Sequence, residues 1–166
     1  MAETDTLVKP AAQKTEHFDV LIVGAGISGV GAAYHLKDQC PDKSFVVLES
    51  LESFGGTWHM HRYPGIRSDS DLYTFGYRFK PWTGAPIASA EEILTYKGEV
   101  IDENDLDDHN RYGQKNTSAN WSAKDQLYQQ DGVGTDTGER VHHTDNIYGR
   151  CDGIYITQYV NTPSWV

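Results

Sequence analysis

The chain has 166 residues and a formal charge of −10, with 14 Lys plus Arg against 24 Asp plus Glu. That length suits one domain with a substantial core, and the acidic surface repels phosphate backbones, so nucleic acid is excluded as a partner. No run approaches the roughly 18 apolar residues of a transmembrane helix, and two cysteines, Cys40 and Cys151, make no disulfide framework.

Residues 1–17 are polar, carry charges of both signs and lack an apolar stretch. They read as a flexible leading tail with no secretory signal, which points to a cytoplasmic protein with reduced thiols. Residues 18–166 read as one domain. Phe18 to Val23 is a short, β-branched apolar run, the signature of a strand buried on both faces of a parallel sheet. Gly24-Ala25-Gly26-Ile27-Ser28-Gly29 follows directly. Val30, Ala33, Tyr34 and Leu36 then recur at helical spacing from Ile27 to Gln39, and Cys40-Pro41-Asp42 ends that helix. Ser44 to Glu49 is a second buried strand. Strand, glycine turn, helix and strand within some thirty residues form a right-handed βαβ unit.

Turn residues dominate next. Phe54-Gly55-Gly56-Thr57-Trp58 is a tight backbone segment, and Tyr63-Pro64-Gly65 fits a turn with Pro at the second position and Gly at the third. Leu72 to Lys80 is ambiguous between strand and short helix. Ser89-Ala90-Glu91-Glu92 is a capping box opening a helix with Ile93, Leu94, Val100 and Ile101 on one face. Beyond it the character changes. About 21 of the last 70 residues are apolar against about 42 of the first 96. Arg111 to Trp121, Gln126 to Gln130 and Arg140 to Thr144 suggest a three-stranded meander of weak alternation. Ile147 to Tyr155 suggests a last strand interrupted by Arg150 and Asp152.

The GxGxxG pattern is weak alone, but here it leaves a buried strand and opens a helix, and Glu49 stands twenty residues beyond its last glycine. Gly24 permits the sharp turn, Gly26 admits a pyrophosphate close to the backbone, and Gly29 lets the helix approach the sheet. The helix N-terminus, with Ile27 and Ser28 in its first turn, offers N–H groups and partial positive charge to a diphosphate. Glu49 accepts hydrogen bonds from ribose hydroxyls and disfavours a 2′-phosphate. These residues fit FAD and NAD equally, and a glycine-rich turn without a ligand is the plainer alternative.

Gly55-Gly56-Thr57-Trp58 followed by Arg62 to Asp71 resembles the flavin-binding monooxygenases of the Baeyer–Villiger type, over Phe18 to Trp82 and with erosion to about Tyr155. The resemblance covers only the N-terminal, FAD-binding portion of such a protein. It implies an α/β, Rossmann-like three-layer domain with a mostly parallel sheet, helices on both faces and a small antiparallel meander. It implies FAD as cofactor, bound by Gly24, Gly26, Ile27, Ser28, Gly29, Glu49, Gly55, Gly56, Thr57 and Trp58. Asp69 matches an acid near the flavin ring and is the one candidate catalytic residue. Asn116 falls on a strand whose backbone touches adenine, and Cys151 and Gly153 match the end of the last strand. In a complete member NADPH and O2 serve to oxygenate a small ketone or sulfide.

Plainer alternatives stand beside these roles. Trp58 also fits a core or rim aromatic, and Arg67, Asp69 and Asp71 fit solvated loop charges. His59 and His61 lack a third metal ligand, so no metal is expected. The chain departs from the family in three ways. It has no second GxGxxG, and Met60 stands where the fingerprint histidine belongs. Lys97, Asn110 and Asn116 stand where aliphatic residues are usual. A minimal or resurfaced FAD-binding domain is therefore expected, with a non-catalytic dinucleotide-binding module as the alternative.

Overall fold

A computed structural model describes residues 15–150. Strand β1 (Thr15–Val23) leads through the glycine turn into helix α1 (Ile27–Gln39) and strand β2 (Phe45–Leu48). Two single-turn helices follow, α2 (Thr57–Met60) and α3 (Leu72–Phe75), then the longer α4 (Ala90–Glu103). A 3-10 turn at Asp107–His109 leads to β3 (Asn110–Arg111), β4 (Gln114–Ser122), β5 (Leu127–Gly134) and β6 (Arg140–Arg150).

All six strands form one sheet in the order β3-β2-β1-β6-β5-β4. β1 lies parallel to β2 and β6, β2 lies parallel to β3, and β4-β5-β6 is the antiparallel meander. The expected Rossmann-like α/β arrangement is present. α1 reaches from Ile27 to Gln39 as its spacing predicts. β1 begins earlier than its apolar run, at Thr15, and so takes in the end of the segment read as a tail. The reason lies in its neighbour: Thr15, Glu16 and His17 pair with His142, His143 and Thr144 of β6.

Alternation along β1 and β2 divides the core. Val20, Ile22, Phe45 and Val47 point to one face, where Val30 and Ala33 of α1 and Val100 and Ile101 of α4 cover them. Leu21, Val23, Val46 and Leu48 point to the other, with Phe18 and Tyr148 packed against them. Each such aliphatic side chain taken from water contributes about 1.5–3 kcal/mol. The expectation of helices on both faces is met on one: among the described residues, α1 and α4 pack into a single cluster there.

The long connection between β2 and α4 is held by side chains rather than by ladders. The Tyr77 hydroxyl donates to the Ile27 carbonyl at 2.7 Å, and the Tyr96 hydroxyl accepts from the Tyr77 N–H at 2.7 Å and donates to the Lys80 carbonyl at 2.6 Å. Phe79 stacks on Tyr34 of α1. Gly65 has φ +77° and the Ile66 N–H reaches the Tyr63 carbonyl at 3.3 Å, the turn its Pro-Gly pair dictates. Leu72 to Phe75 resolves as a helix, capped by Asp71, whose carboxylate accepts from the Thr74 N–H. The Ser89–Glu92 capping box forms as read.

The meander boundaries differ from expectation. Gly113, at φ +65°, breaks the first segment into β3 and β4. β5 runs on to Gly134, through residues expected to turn. The third meander strand and the expected last strand are one continuous β6, antiparallel to β5 over its first half and parallel to β1 along its length. The part of that last strand from Cys151 to Tyr155, with the Cys151 and Gly153 assignments, lies outside the described residues.

Candidate dinucleotide site

At the C-terminal edge of β1 and β2 the chain packs two glycine turns against each other. The Gly24 N–H donates to the Leu48 carbonyl at 2.7 Å, tying the first turn to the neighbouring strand. A Cβ on Gly29 would lie 1.8 Å from the Gly24 carbonyl oxygen, so this close approach of helix and turn requires glycine. Gly26 is the N-cap of α1 and has no side chain to cap it. The N–H groups at this helix mouth are therefore directed outward without a side-chain acceptor from the cap position, which is the arrangement an anion needs.

The second turn closes over the first. The Gly55 N–H donates to the Ala25 carbonyl at 3.0 Å, and a Cβ on Gly56 would stand 3.1 Å from the Gly26 Cα. Glu49, only 6% exposed, follows directly on β2. Its Oε2 accepts from the Ala25 N–H at 2.8 Å, and its Oε1 accepts from the Leu51 N–H at 2.9 Å and the Ser50 hydroxyl at 3.2 Å. Three donors thus fix the carboxylate at the junction, and two carboxylate oxygens offer about four lone-pair positions, leaving capacity for a sugar hydroxyl. The bare helix mouth, the glycine cradle and the fixed carboxylate together fit an ADP-like group.

Lys97 enters the same site from α4. It is fully buried, and its Nζ donates to the Gly55 carbonyl at 2.9 Å. Burial pulls its pKa down to about 8, while the nearby Glu49 carboxylate acts in the opposite sense. Resurfacing would leave Lys97, Asn110 and Asn116 exposed. Lys97 is instead inside, and Asn110 and Asn116 are half-buried. The signal for Lys97 is present in the sequence: Ile93, Lys97, Val100 and Ile101 fall at the i, i+4, i+7 and i+8 positions of a core-facing stripe.

The structure thus brings Gly24, Gly26, Gly29, Glu49, Gly55 and Gly56 together, with Ile27 and Ser28 in the first turn of α1. Thr57 and Trp58 open α2. Trp58 is half-buried, packs against the cluster of Leu72, Ala88 and Ile93, and joins His59, Arg62, Tyr63, Leu94 and Thr95 around a groove of ≈ 540 Å³. Asp69 is exposed, one residue beyond Ser68, whose backbone and hydroxyl are both tied to Ala88. Asn116 sits in β4 beside a bulge and donates its side-chain amide to Gln130. His59 pairs with Glu52 at 3.0 Å.

Comparison with known proteins agrees with this geometry. A family model described as an NAD(P)-binding Rossmann-like domain matches residues 22–83. The FAD-containing monooxygenase EthA of Mycobacterium tuberculosis is 58% identical over 109 residues, 65% of this chain and 22% of that protein. EthA of Mycolicibacterium smegmatis is 48% identical over 142 residues, 85% of this chain and 28% of that protein. The chain matches the N-terminal part of flavin monooxygenases of the Baeyer–Villiger type. A steroid monooxygenase with NADP bound superimposes with a TM-score of 0.73 at 27% identity, over 82% of this chain and 26% of that one. Cyclohexanone-bound cyclohexanone monooxygenase does so with 0.75 at 25% identity, over 87% and 28%. The chain spans about a quarter of the length of these monooxygenases.

Proposed function

We propose that this chain supplies the FAD-binding part of a flavin-dependent monooxygenase and seats the ADP half of the cofactor. One observation carries this reading: the uncapped mouth of α1 opens between two interlocked glycine turns, with the Glu49 carboxylate fixed beside it. The N–H groups and the helix dipole attract the diphosphate, the absent side chains at Gly26 and Gly56 let it approach, and Glu49 accepts from ribose hydroxyls. Thr57 and Trp58 would lie along the cofactor, and Asp69 and the Asn116 backbone would contact its two ends. The flavin supplies the redox chemistry, and the protein supplies its position and electrostatics.

Oxygenation of a small ketone or sulfide with NADPH and O2 belongs to the proposal for a whole protein of this type. This chain matches about a quarter of such proteins, so we propose that it binds without completing that cycle. The acidic composition favours a cytoplasmic location. No helix among the described residues is long and apolar enough to cross a membrane.

Cofactor extraction from the purified chain, followed by mass measurement, tests the reading. FAD recovered from the protein, or taken up from solution with flavin absorbance retained through gel filtration, is the expected result. Saturable binding of NAD with no retention of flavin selects the second reading, an NAD-binding module, which the NAD(P)-binding family match favours. Tight coupling of NADPH oxidation to ester formation by this chain alone refutes the non-catalytic assignment.

A further inference from the structure

Lys97 is a buried ammonium on the inner face of α4, among Ile93, Tyr96, Val100 and Ile101. An unpaired charge at such a position is strongly unfavourable, so its partners define its role. The first is the Gly55 carbonyl at 2.9 Å. The same peptide segment reaches forward, because the Gly55 N–H holds the Ala25 carbonyl at 3.0 Å and Gly56 lies against Gly26. The second is Glu49, whose carboxylate bears on Lys97 and also accepts from the Ala25 N–H. Lys97, Gly55, Ala25 and Glu49 therefore form a ring of contacts directly around the glycine junction.

We propose that Lys97 is a positioning residue for the dinucleotide: its ammonium pins the Gly55–Gly56 turn against the Gly24–Gly29 junction and sets a buried positive charge behind the diphosphate seat. The inference rests on the functional reading above. The charge has a second consequence. Glu49 is needed for sugar hydroxyls but repels phosphate, and a cation facing it offsets that repulsion inside a site where water screens little.

The groups around Lys97 simplify its titration. Glu49 faces it from the end of β2. On the α2 side His59 is paired with Glu52, and on the α1 side Lys37 is held by the Asn104 and Asp105 carbonyls. Tyr112, beside Glu49, is pushed up to about 12, and Tyr96 of α4 is also raised, both mainly by burial. Lys97, at about 8, is the group expected to change charge at the junction between pH 7 and 9, where the FAD diphosphate stays ionised.

The test titrates FAD into the full chain, as wild type, Lys97→Met and Lys97→Arg, by flavin fluorescence, with thermal midpoints of the unliganded proteins measured alongside. Lys97→Met is expected to match or exceed the wild type in midpoint, because an apolar chain replaces a buried ammonium, yet to bind FAD about tenfold more weakly. Wild-type affinity is expected to fall from pH 7 to 9, whereas Lys97→Arg, which keeps its charge, holds level. Unliganded stability moves the other way. The folded state gives up the Lys97 proton near pH 8 and the unfolded state near 10.5, so stability rises over that interval as affinity falls. A merely tolerated lysine predicts higher stability in Lys97→Met with unchanged binding. Equal affinity of Lys97→Met and wild type, or a flat wild-type profile, overturns the proposal while leaving the functional reading intact. If Lys97→Met does not fold, the wild-type pH profile decides alone. A wild type that binds no FAD at any pH overturns both.

Discussion

The glycine junction and the meander both bury polar side chains, and they do so with different success. At the junction Glu49 accepts from three donors and Lys97 has an acceptor and a counter-charge. In the meander a side-chain row crosses the strands from Asn116 through Gln130 to Asp145, and it ends badly. The Gln130 amide donates to Asp145 Oδ2 at 2.8 Å, but Asp145 Oδ1 is buried without a partner. Burial pushes the Asp145 carboxyl up to about 6. On an adjoining strand pair, Arg111 ion-pairs with Glu16 and lies over the Phe18 ring, while His143 is buried and disfavours its proton. A buried polar group is an asset where its bonds also fix a ligand seat, and a liability where its last lone pair faces nothing.

Four substitutions sharpen that contrast. The largest effect is expected from Gly29→Ala, whose new methyl collides with the Gly24 carbonyl. Backbone must move, so a loss of about 3 kcal/mol or more and of FAD binding is expected from denaturant melts and flavin titration. Glu49→Gln comes next. Its amide nitrogen meets either the Ala25 or the Leu51 N–H, donor against donor, so stability should fall by about 1–3 kcal/mol and FAD affinity at least tenfold. Retained affinity in this variant would separate the carboxylate from ligand binding.

Asp145→Asn should act in the opposite direction. The folded pKa is raised above the ordinary 3.8, so the wild type binds more protons folded than unfolded and loses stability as pH rises from about 4 to about 6. The neutral variant escapes that loss while still offering Gln130 an acceptor. A gain of about 1–2 kcal/mol at pH 7, vanishing below pH 4, is expected from melts across pH. An unchanged melt at pH 7 would show that the carboxylate is not a liability. Smallest is Ser89→Ala, which removes one half of the capping box and should cost about 1 kcal/mol without altering cofactor affinity.

Legibility follows the same division. The βαβ unit is readable because its strands are uniformly apolar, its helix keeps a 3.6 period and its turn residues have few other uses. The Pro64-Gly65 turn and the Ser89 cap are readable from local chemistry alone. The ends of β4, β5 and β6 are not, since Gln114 to Ser122 shows no alternation and pairing there is set by partners distant in sequence. The glycines and Glu49 are likewise identifiable before any geometry, whereas nothing in the loop sequence reveals that Ser68 and Asp71 serve Ala88 and Thr74. Lys97 stands out in the sequence as an oddity, but its partner lies 42 positions earlier, and a lysine on a helix usually signals a solvated face.

β6 has one further consequence. It alone joins the parallel strands to the meander, and it places Thr144 beside His17 across 127 positions of chain. During synthesis β1 therefore leaves the ribosome with one flank unclaimed until nearly the whole described segment has followed. So distant a pairing makes for sluggish assembly, and in the interval the exposed border of β1 invites association with a neighbouring nascent copy.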